Sequence, residues 1–97
     1  MDKIDVNDLE ELLGKINLID IRESFEYESG HIPTAKNMPM KDMLKDPDNF
    51  LDKDKEYYII CQTGRRSSIT CSELRLKGFK VKVVTGGTDM YEGELEK

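Results

Sequence analysis

Short apolar runs alternate with stretches of helical spacing along the 97-residue chain. A parallel sheet needs such an alternation, because each crossover helix returns the chain to the end of the sheet where the next strand starts. The pattern therefore predicts an α/β domain with a largely parallel sheet. The predicted strands are Lys3–Val6, Leu18–Ile21, Glu56–Ile60 and Lys80–Thr85, with Asn37-Met38 as a brief edge strand.

The segments between these strands carry helix signals. Asn7, followed by acidic residues, is predicted to cap a helix from Asp8 to about Gly14. Glu23 to Ser29 is predicted as a short helix closed by a glycine. Further helical segments are predicted at 41–45, at 47–51, from the Cys61 loop to Gly78, and after Gly86-Gly87.

The composition limits both the size and the partners of the protein. A chain of this length is predicted to form a single domain over residues 1–97. The formal net charge of −5 argues against nucleic-acid binding, which needs a positive surface. No apolar run approaches the roughly 20 residues that span a bilayer, and no signal peptide is recognisable. With two cysteines expected to be reduced, we expect a cytoplasmic protein with no membrane partner.

One cysteine stands where the central strand gives way to a helix. Cys61 should open a tight loop at the carboxyl end of that strand, which is where parallel sheets hold their ligands. Gly64 permits the positive φ that such a loop needs, and inward N–H groups, the helix dipole, Arg65 and Arg66 favour the sulfur as thiolate. Cys61 is therefore the candidate nucleophile.

Other chemically active residues receive plainer interpretations. Cys71 is predicted to be a core residue, and His31 to anchor backbone within a turn that precedes Pro33. Two cysteines and one histidine match no metal-binding spacing, so no metal is expected. Three arginines, Arg65, Arg66 and Arg75, are expected to form a small positive mouth that attracts small anions.

Taken together, the motifs resemble the rhodanese family of single-domain sulfurtransferases over nearly the whole chain. The matching segments are 18–23 (Leu-Ile-Asp-Ile-Arg-Glu), 27–35 (Tyr-Glu-Ser-Gly-His-Ile-Pro-Thr-Ala), 61–67 (Cys-Gln-Thr-Gly-Arg-Arg-Ser), Lys77-Gly78-Phe79 and Gly86-Gly87. The resemblance implies a five-stranded sheet flanked by helices on both faces. Two departures are Thr34, where the family usually has glycine, and Tyr91, where tryptophan is common.

The resemblance also implies a mechanism. Cys61 accepts the outer sulfur of thiosulfate or a similar small anionic donor, holds it as a persulfide, and passes it to cyanide, a thiol or a protein acceptor, with no cofactor. The residues expected to bind the donor are Gln62, Thr63, Gly64, Arg65 and Arg66. Asp20 and Arg22 are expected to support the site. Arg66 has two possible roles, facing the donor or bracing the loop on an acidic partner such as Asp20.

Two other function classes use or carry a similar loop. Phosphatases and arsenate reductases resemble Cys-x5-Arg, with the arginine six positions after the cysteine, but position 67 here is Ser and the arginine comes at Arg66. A non-catalytic binding module is the second alternative, although inactive relatives typically lose the cysteine that this chain keeps. The physiological donor and acceptor, the pathway and the oligomeric state stay open.

Overall fold

The computed structural model describes residues 3–97, and its centre is a five-stranded sheet in the order β1-β5-β4-β2-β3. Every pair of neighbouring strands is parallel, so the sheet is wholly rather than largely parallel. The predicted α/β fold class is confirmed, with Glu56–Ile60 as the central strand. The strands are β1 (Lys3–Asp5), β2 (Asn17–Asp20), β3 (Lys36–Asn37), β4 (Glu56–Ile60) and β5 (Lys80–Thr85).

The strand register brings the candidate site residues to one edge of the sheet. Asp20, the last residue of β2, pairs with Ile60, the last residue of β4, and Cys61 follows directly. On the other side of β4, Ile59 pairs with Val83 of β5, two residues before that strand ends. The carboxyl ends of β2, β4 and β5 therefore lie together, and the loops that leave them can form one site.

Helices and turns connect the strands. The helices are α1 (Ser24–Ser29), α2 (Met40–Lys45) and α3 (Arg65–Leu76). Single 3₁₀ turns cover Val6–Asp8, Glu10–Leu12, Pro47–Asn49 and Thr88–Met90. Within residues 3–97, no helix is both long enough and apolar enough to cross a bilayer.

Alternate side chains of the sheet build one core on each face. On β4, Ile59 faces the side covered by α2 and α3, where it shares a buried cluster with Cys71 and Leu74. Ile60 faces the opposite side, in a cluster with Leu9 that Tyr27 of α1 also packs against. Burial of both faces explains why β4 is apolar throughout its buried length instead of alternating with polar residues.

The segment between β1 and β2 differs from its prediction. The predicted helix from Asp8 to about Gly14 is wrong, because two successive 3₁₀ turns occupy most of this segment. Val6 and Leu9 are both fully buried and lie three residues apart, a spacing that suits a helix with three residues per turn.

The predicted cap of that helix is also wrong. The Asp5 carboxylate, and not the Asn7 side chain, accepts the capping hydrogen bond, from the Asn7 N–H at 2.9 Å. The Asn7 amide instead donates to the Met90 carbonyl and accepts from the Glu92 N–H, both at 2.9 Å. Asn7 thus joins the two ends of the described chain, a long-range role that no local pattern indicates.

Candidate active site

The loop that follows β4 turns sharply into α3. Gly64 occupies the N-cap position of α3 with φ of 102°, a left-handed conformation that favours glycine, as the sequence predicts. A Cβ atom at Gly64 would lie 3.5 Å from the Gly86 nitrogen, so the loop also passes close to the end of β5. Cys61 is thereby placed under the first turn of a 12-residue helix.

Backbone N–H groups hold the Cys61 sulfur. The Gly64 N–H donates to Sγ at 3.1 Å and the Ser67 N–H at 3.3 Å, while the Ser67 hydroxyl oxygen lies 3.5 Å from Sγ. The Cys61 side chain is fully buried. Both N–H groups point at the sulfur from the positive end of the α3 dipole, an arrangement that can stabilise negative charge held within the loop.

Further N–H groups of the loop have no acceptor in the part of the protein that the structure describes. Within residues 3–97, the backbone N–H groups of Gln62, Thr63, Arg65 and Arg66 donate no hydrogen bond. Those of Arg65 and Arg66 belong to the first turn of α3, where intrahelical acceptors do not exist. Such groups can bind an anion or a negatively charged sulfur that arrives at the loop.

A second segment of chain, after β5, braces the loop from behind. The Thr88 N–H donates to the Cys61 carbonyl at 2.9 Å, and the Asp89 N–H donates to the Gln62 carbonyl at 3.0 Å. Gly87 makes this approach possible, because a Cβ atom there would lie 2.7 Å from the Cys61 carbonyl oxygen and still closer to that of Gln62. The Gly86-Gly87 pair is the sequence signal for this close packing.

Asp20 and Arg22, which the sequence predicts to support the site, lie at the end of β2 and contact each other. The two residues make a buried ion pair with Nη2 of Arg22 2.9 Å from Oδ2 of Asp20, and Nε also donates to both carboxylate oxygens. Nη2 of Arg22 further donates to the Gly30 carbonyl at 2.7 Å, and Nη1 donates to Oε1 of Gln62 at 2.8 Å. Arg22 therefore connects the end of β2 to the residue next to Cys61.

Both polar atoms of the Gln62 side-chain amide form hydrogen bonds within the protein. Its oxygen accepts from Arg22, and its Nε2 donates to Oδ1 of Asp89. The side chain predicted to meet the donor is thus occupied within the protein, while its backbone N–H is available. Asp89 is a site residue that the sequence reasoning missed, because its only local signal is a position shortly after Gly86-Gly87.

Arg66 braces the loop, but on a different carboxylate from the one proposed. Its guanidinium forms a two-pronged pair with Glu26 of α1, at 2.8 and 3.0 Å, and does not pair with Asp20. Asp20 is already occupied by Arg22. The hydrogen bond from Arg66 lowers the pKa of Glu26, and the same bond raises the pKa of Arg66. Glu26 was not predicted, since its signal is the local capping box of α1.

The predicted positive mouth of Arg65, Arg66 and Arg75 is not formed. Arg66 is paired, and Arg75 lies near the far end of α3, where it donates to the Val81 carbonyl at 3.3 Å. The side chains of Thr63 and Arg65 are exposed and make no hydrogen bond within residues 3–97. These two are the loop side chains that can meet a ligand directly.

His31 anchors local structure, as the sequence predicts. Its Nδ1 lies 2.9 Å from the Tyr27 carbonyl oxygen, and its ring stacks on the Tyr27 ring with centroids 3.8 Å apart. Its backbone pairs with that of Glu96 through bonds of 2.9 and 2.8 Å. Across residues 3–97, no group of three or more His, Cys, Asp or Glu side chains could hold a metal ion.

Together the fold and the loop define a class: parallel α/β domains that present a cysteine within a ring of N–H groups at the start of a helix. Comparison with known families shows which family of this class the chain belongs to. Residues 5–94 match the rhodanese-like domain family, and the chain belongs to it.

Relatives in Bacillus subtilis (strain 168) have names that refer to sulfur transfer. "Putative sulfurtransferase YtwF" is 44% identical over 82 residues, which cover 84% of this chain and 79% of that protein. "Putative sulfur carrier protein YrkF" is 40% identical over 83 residues, which cover 84% of this chain and 44% of that protein. The chain therefore spans less than half of the second relative.

Solved structures share the fold over its full length. Protein SSP1007 from Staphylococcus saprophyticus superposes with a TM-score of 0.88 at 34% identity, with 100% of both chains covered. A rhodanese-like domain protein from Staphylococcus aureus gives a TM-score of 0.84 at 34% identity, covering 99% of this chain and 97% of that one.

Proposed function

We propose that this protein is a sulfurtransferase that carries sulfane sulfur as a persulfide on Cys61. The observation that carries the proposal is the environment of Sγ, which receives two N–H bonds and lies in a loop with four further N–H groups that have no acceptor within residues 3–97. This environment suits a negatively charged sulfur first as the thiolate and then as the persulfide. The names of the relatives agree with this chemistry.

The proposed reaction has two exchange steps. The Cys61 thiolate attacks the outer sulfur of thiosulfate, the sulfur–sulfur bond breaks, and sulfite leaves with the bonding electron pair. The outer sulfur then sits on Cys61 as an anionic persulfide. In the second step an acceptor such as cyanide or a thiolate attacks that sulfur, and the Cys61 thiolate is regenerated. Atoms and charge balance without any cofactor.

The remaining loop residues have positioning and contact roles in this proposal. The N–H groups of Gln62 to Arg66 stabilise the outer sulfur, and Thr63 and Arg65 offer exposed side chains to the donor. Arg22 fixes Gln62, and Glu26 fixes Arg66. Since Arg66 is turned onto Glu26, it is not aimed at a tetrahedral oxyanion as the phosphatase alternative requires.

Turnover is the direct test of function. Purified protein given thiosulfate and cyanide should produce thiocyanate, and it should show negligible hydrolysis of aryl phosphates. Hydrolysis of an aryl phosphate with kinetics that depend on Cys61 would show that the assignment is wrong. A protein that releases no thiocyanate and transfers no sulfur to thiols from several sulfane donors would instead fit the binding-module alternative.

The proposal includes the compartment. A catalytic thiol needs to be reduced, and neither Cys61 nor Cys71 forms a disulfide. We therefore propose that the protein works in the cytoplasm, with a small thiol or a protein thiol as acceptor. Fractionation of cells that produce the natural protein tests this, and recovery outside the cytoplasm would refute it.

A further inference from the structure

Two ion pairs at the Cys61 loop cancel most of its positive charge. Arg22 is neutralised by Asp20, with both side chains buried. Arg66 is neutralised by Glu26, in a pair whose side chains are 35% and 22% exposed. Neither arginine presents an unbalanced charge to a ligand that approaches the loop.

In the loop and in the segment that braces it, residues 61–68 and 86–89, the charged side chains without an ion pair are Arg65 and Asp89. Arg65 is exposed, and no carboxylate within residues 3–97 lies in salt-bridge distance of it. Asp89 is also exposed, and its carboxylate accepts from the neutral Gln62 amide, a bond that leaves the negative charge in place. Among the described residues, no lysine or arginine lies in salt-bridge distance of Asp89 either.

Asp89 is fixed to the loop through both its backbone and its side chain. Its N–H donates to the Gln62 carbonyl at 3.0 Å, and its Oδ1 accepts from the end of the Gln62 side chain. Gln62 directly follows the nucleophile Cys61. A full negative charge is therefore held beside the place where a donor must approach, on a chain whose formal net charge is already −5.

We propose that Asp89 is a specificity-determining residue that disfavours dianionic donors such as thiosulfate, so that the preferred donor is an organic persulfide of low net charge. This inference rests on the proposed function and specifies its substrate class. A dianion meets a loop whose side-chain charges balance, and it has to approach both the Cys61 thiolate and the Asp89 carboxylate. A protonated persulfide group meets neither repulsion.

The chemistry of the preferred donor balances in the same way as that of thiosulfate. The Cys61 thiolate attacks the outer sulfur of R–S–SH, the sulfur–sulfur bond breaks, and R–S⁻ leaves with the electron pair. Cys61 now carries –S–SH, whose proton passes to the thiolate that has left, giving R–SH and the anionic persulfide. No external oxidant or reductant is consumed.

The variant Asp89→Asn separates charge from hydrogen bonding. An asparagine oxygen can still accept from Gln62, while the negative charge is removed. At low ionic strength we expect kcat/KM for thiosulfate to rise about threefold to tenfold, as expected for removal of a like charge near an anion's path. For cysteine persulfide, which carries less negative charge than thiosulfate, kcat/KM should rise less, by no more than about twofold, since steering scales with the charge of the substrate.

Asp54→Asn is the matched control. Asp54 is also an exposed aspartate, but it precedes β4 and so lies at the end of the sheet opposite Cys61. The control should change neither rate. Equal changes for both donors in Asp89→Asn, or no rise for thiosulfate in a folded variant, would overturn the inference, because a merely structural role of Asp89 affects both donors alike.

Wild-type protein gives an independent test that needs no variant. Raising the ionic strength from about 0.01 M to about 0.15 M shortens the Debye length from about 30 Å to about 8 Å. We expect kcat/KM for thiosulfate to stay level or to rise, whereas a steep fall would indicate a positive mouth and overturn the inference. If neither donor loads sulfur onto Cys61, the proposed function itself fails, a result distinct from loading without the expected charge dependence.

Discussion

Cys61 and Cys71 are alike in burial and in packing, and they differ in their position relative to α3. Both are fully buried, both belong to the same apolar cluster, and neither forms a disulfide. Cys61 precedes α3 and faces N–H groups at the helix start, whereas Cys71 lies within the helix, where backbone N–H groups bond to carbonyls of the preceding turn. Burial therefore does not distinguish the proposed nucleophile from the core cysteine in this fold. Its position relative to the helix start does.

The largest effect on activity is expected for substitution of Cys61, the cysteine of the loop. Cys61→Ser should abolish sulfur transfer, because a serine hydroxyl is not ionised by the same N–H groups at neutral pH and forms no persulfide. Thiocyanate production measures the loss, and circular dichroism should show an unchanged fold. Substantial turnover by this folded variant would remove Cys61 from the mechanism.

The brace behind the loop should be the next most sensitive feature. Gly87→Ala would place a Cβ atom against the carbonyls of Cys61 and Gln62, so we expect at least tenfold lower activity. We also expect a loss of stability beyond the roughly 1–3 kcal/mol that a strained φ alone costs.

Gly14→Ala is the control for that experiment. Gly14 also has a positive φ, of 85°, but a Cβ atom there would meet nothing within 4 Å. It should therefore lose stability through the backbone strain alone and keep its activity. Similar behaviour of the two variants in chemical denaturation and in turnover would show that the close contact at Gly87 is unimportant.

Substitution of Cys71, the cysteine in the core, should affect stability more than activity. Cys71→Ser introduces a strongly polar hydroxyl into the apolar cluster, and we expect it to lower the free energy of unfolding by about 1–3 kcal/mol. Turnover at a temperature where the variant stays folded should remain close to wild type. Equal loss of activity in the Cys61 and Cys71 variants would instead indicate a relay between two cysteines.

The smallest effect is expected for the partly exposed ion pair between Glu26 and Arg66. Glu26→Gln should lower stability at neutral pH by less than about 1 kcal/mol, because solvent screens this pair. The pKa of Glu26 is lowered on folding, so the pair's contribution is fully present above the ordinary glutamate value of 4.5 and is lost as pH falls through the lowered value. The stability difference between wild type and variant should therefore shrink on acidification. A constant difference from pH 7 to below 4.5 would contradict this.

Local patterns predict the parts of this molecule that local forces determine. The parallel sheet follows from apolar strands between helices, and the position of Cys61 follows from the junction of β4 with α3. Gly64 shows the same, since its left-handed conformation is a local requirement of the turn that it makes.

Contacts between distant segments are what the sequence leaves undetermined. Arg66 and Glu26 are 40 residues apart, and the Gln62–Asp89 bond joins the loop to the segment after β5. Which carboxylate each arginine meets depends on how α1 packs over the start of α3, and on Asp20 being taken already by Arg22. The segment that begins at Val6 forms 3₁₀ turns instead of the predicted helix for a similar reason. The burial of Leu9 outweighs the local capping signal at Asn7.

The intact mass of the protein after incubation with thiosulfate or cysteine persulfide tests the central claim most directly. Wild type and Cys71→Ser should each gain the mass of one sulfur atom, Cys61→Ser should gain none, and cyanide should restore the original mass. An unchanged wild-type mass with several sulfane donors, or a sulfur retained by the Cys61→Ser variant, would contradict persulfide formation on Cys61.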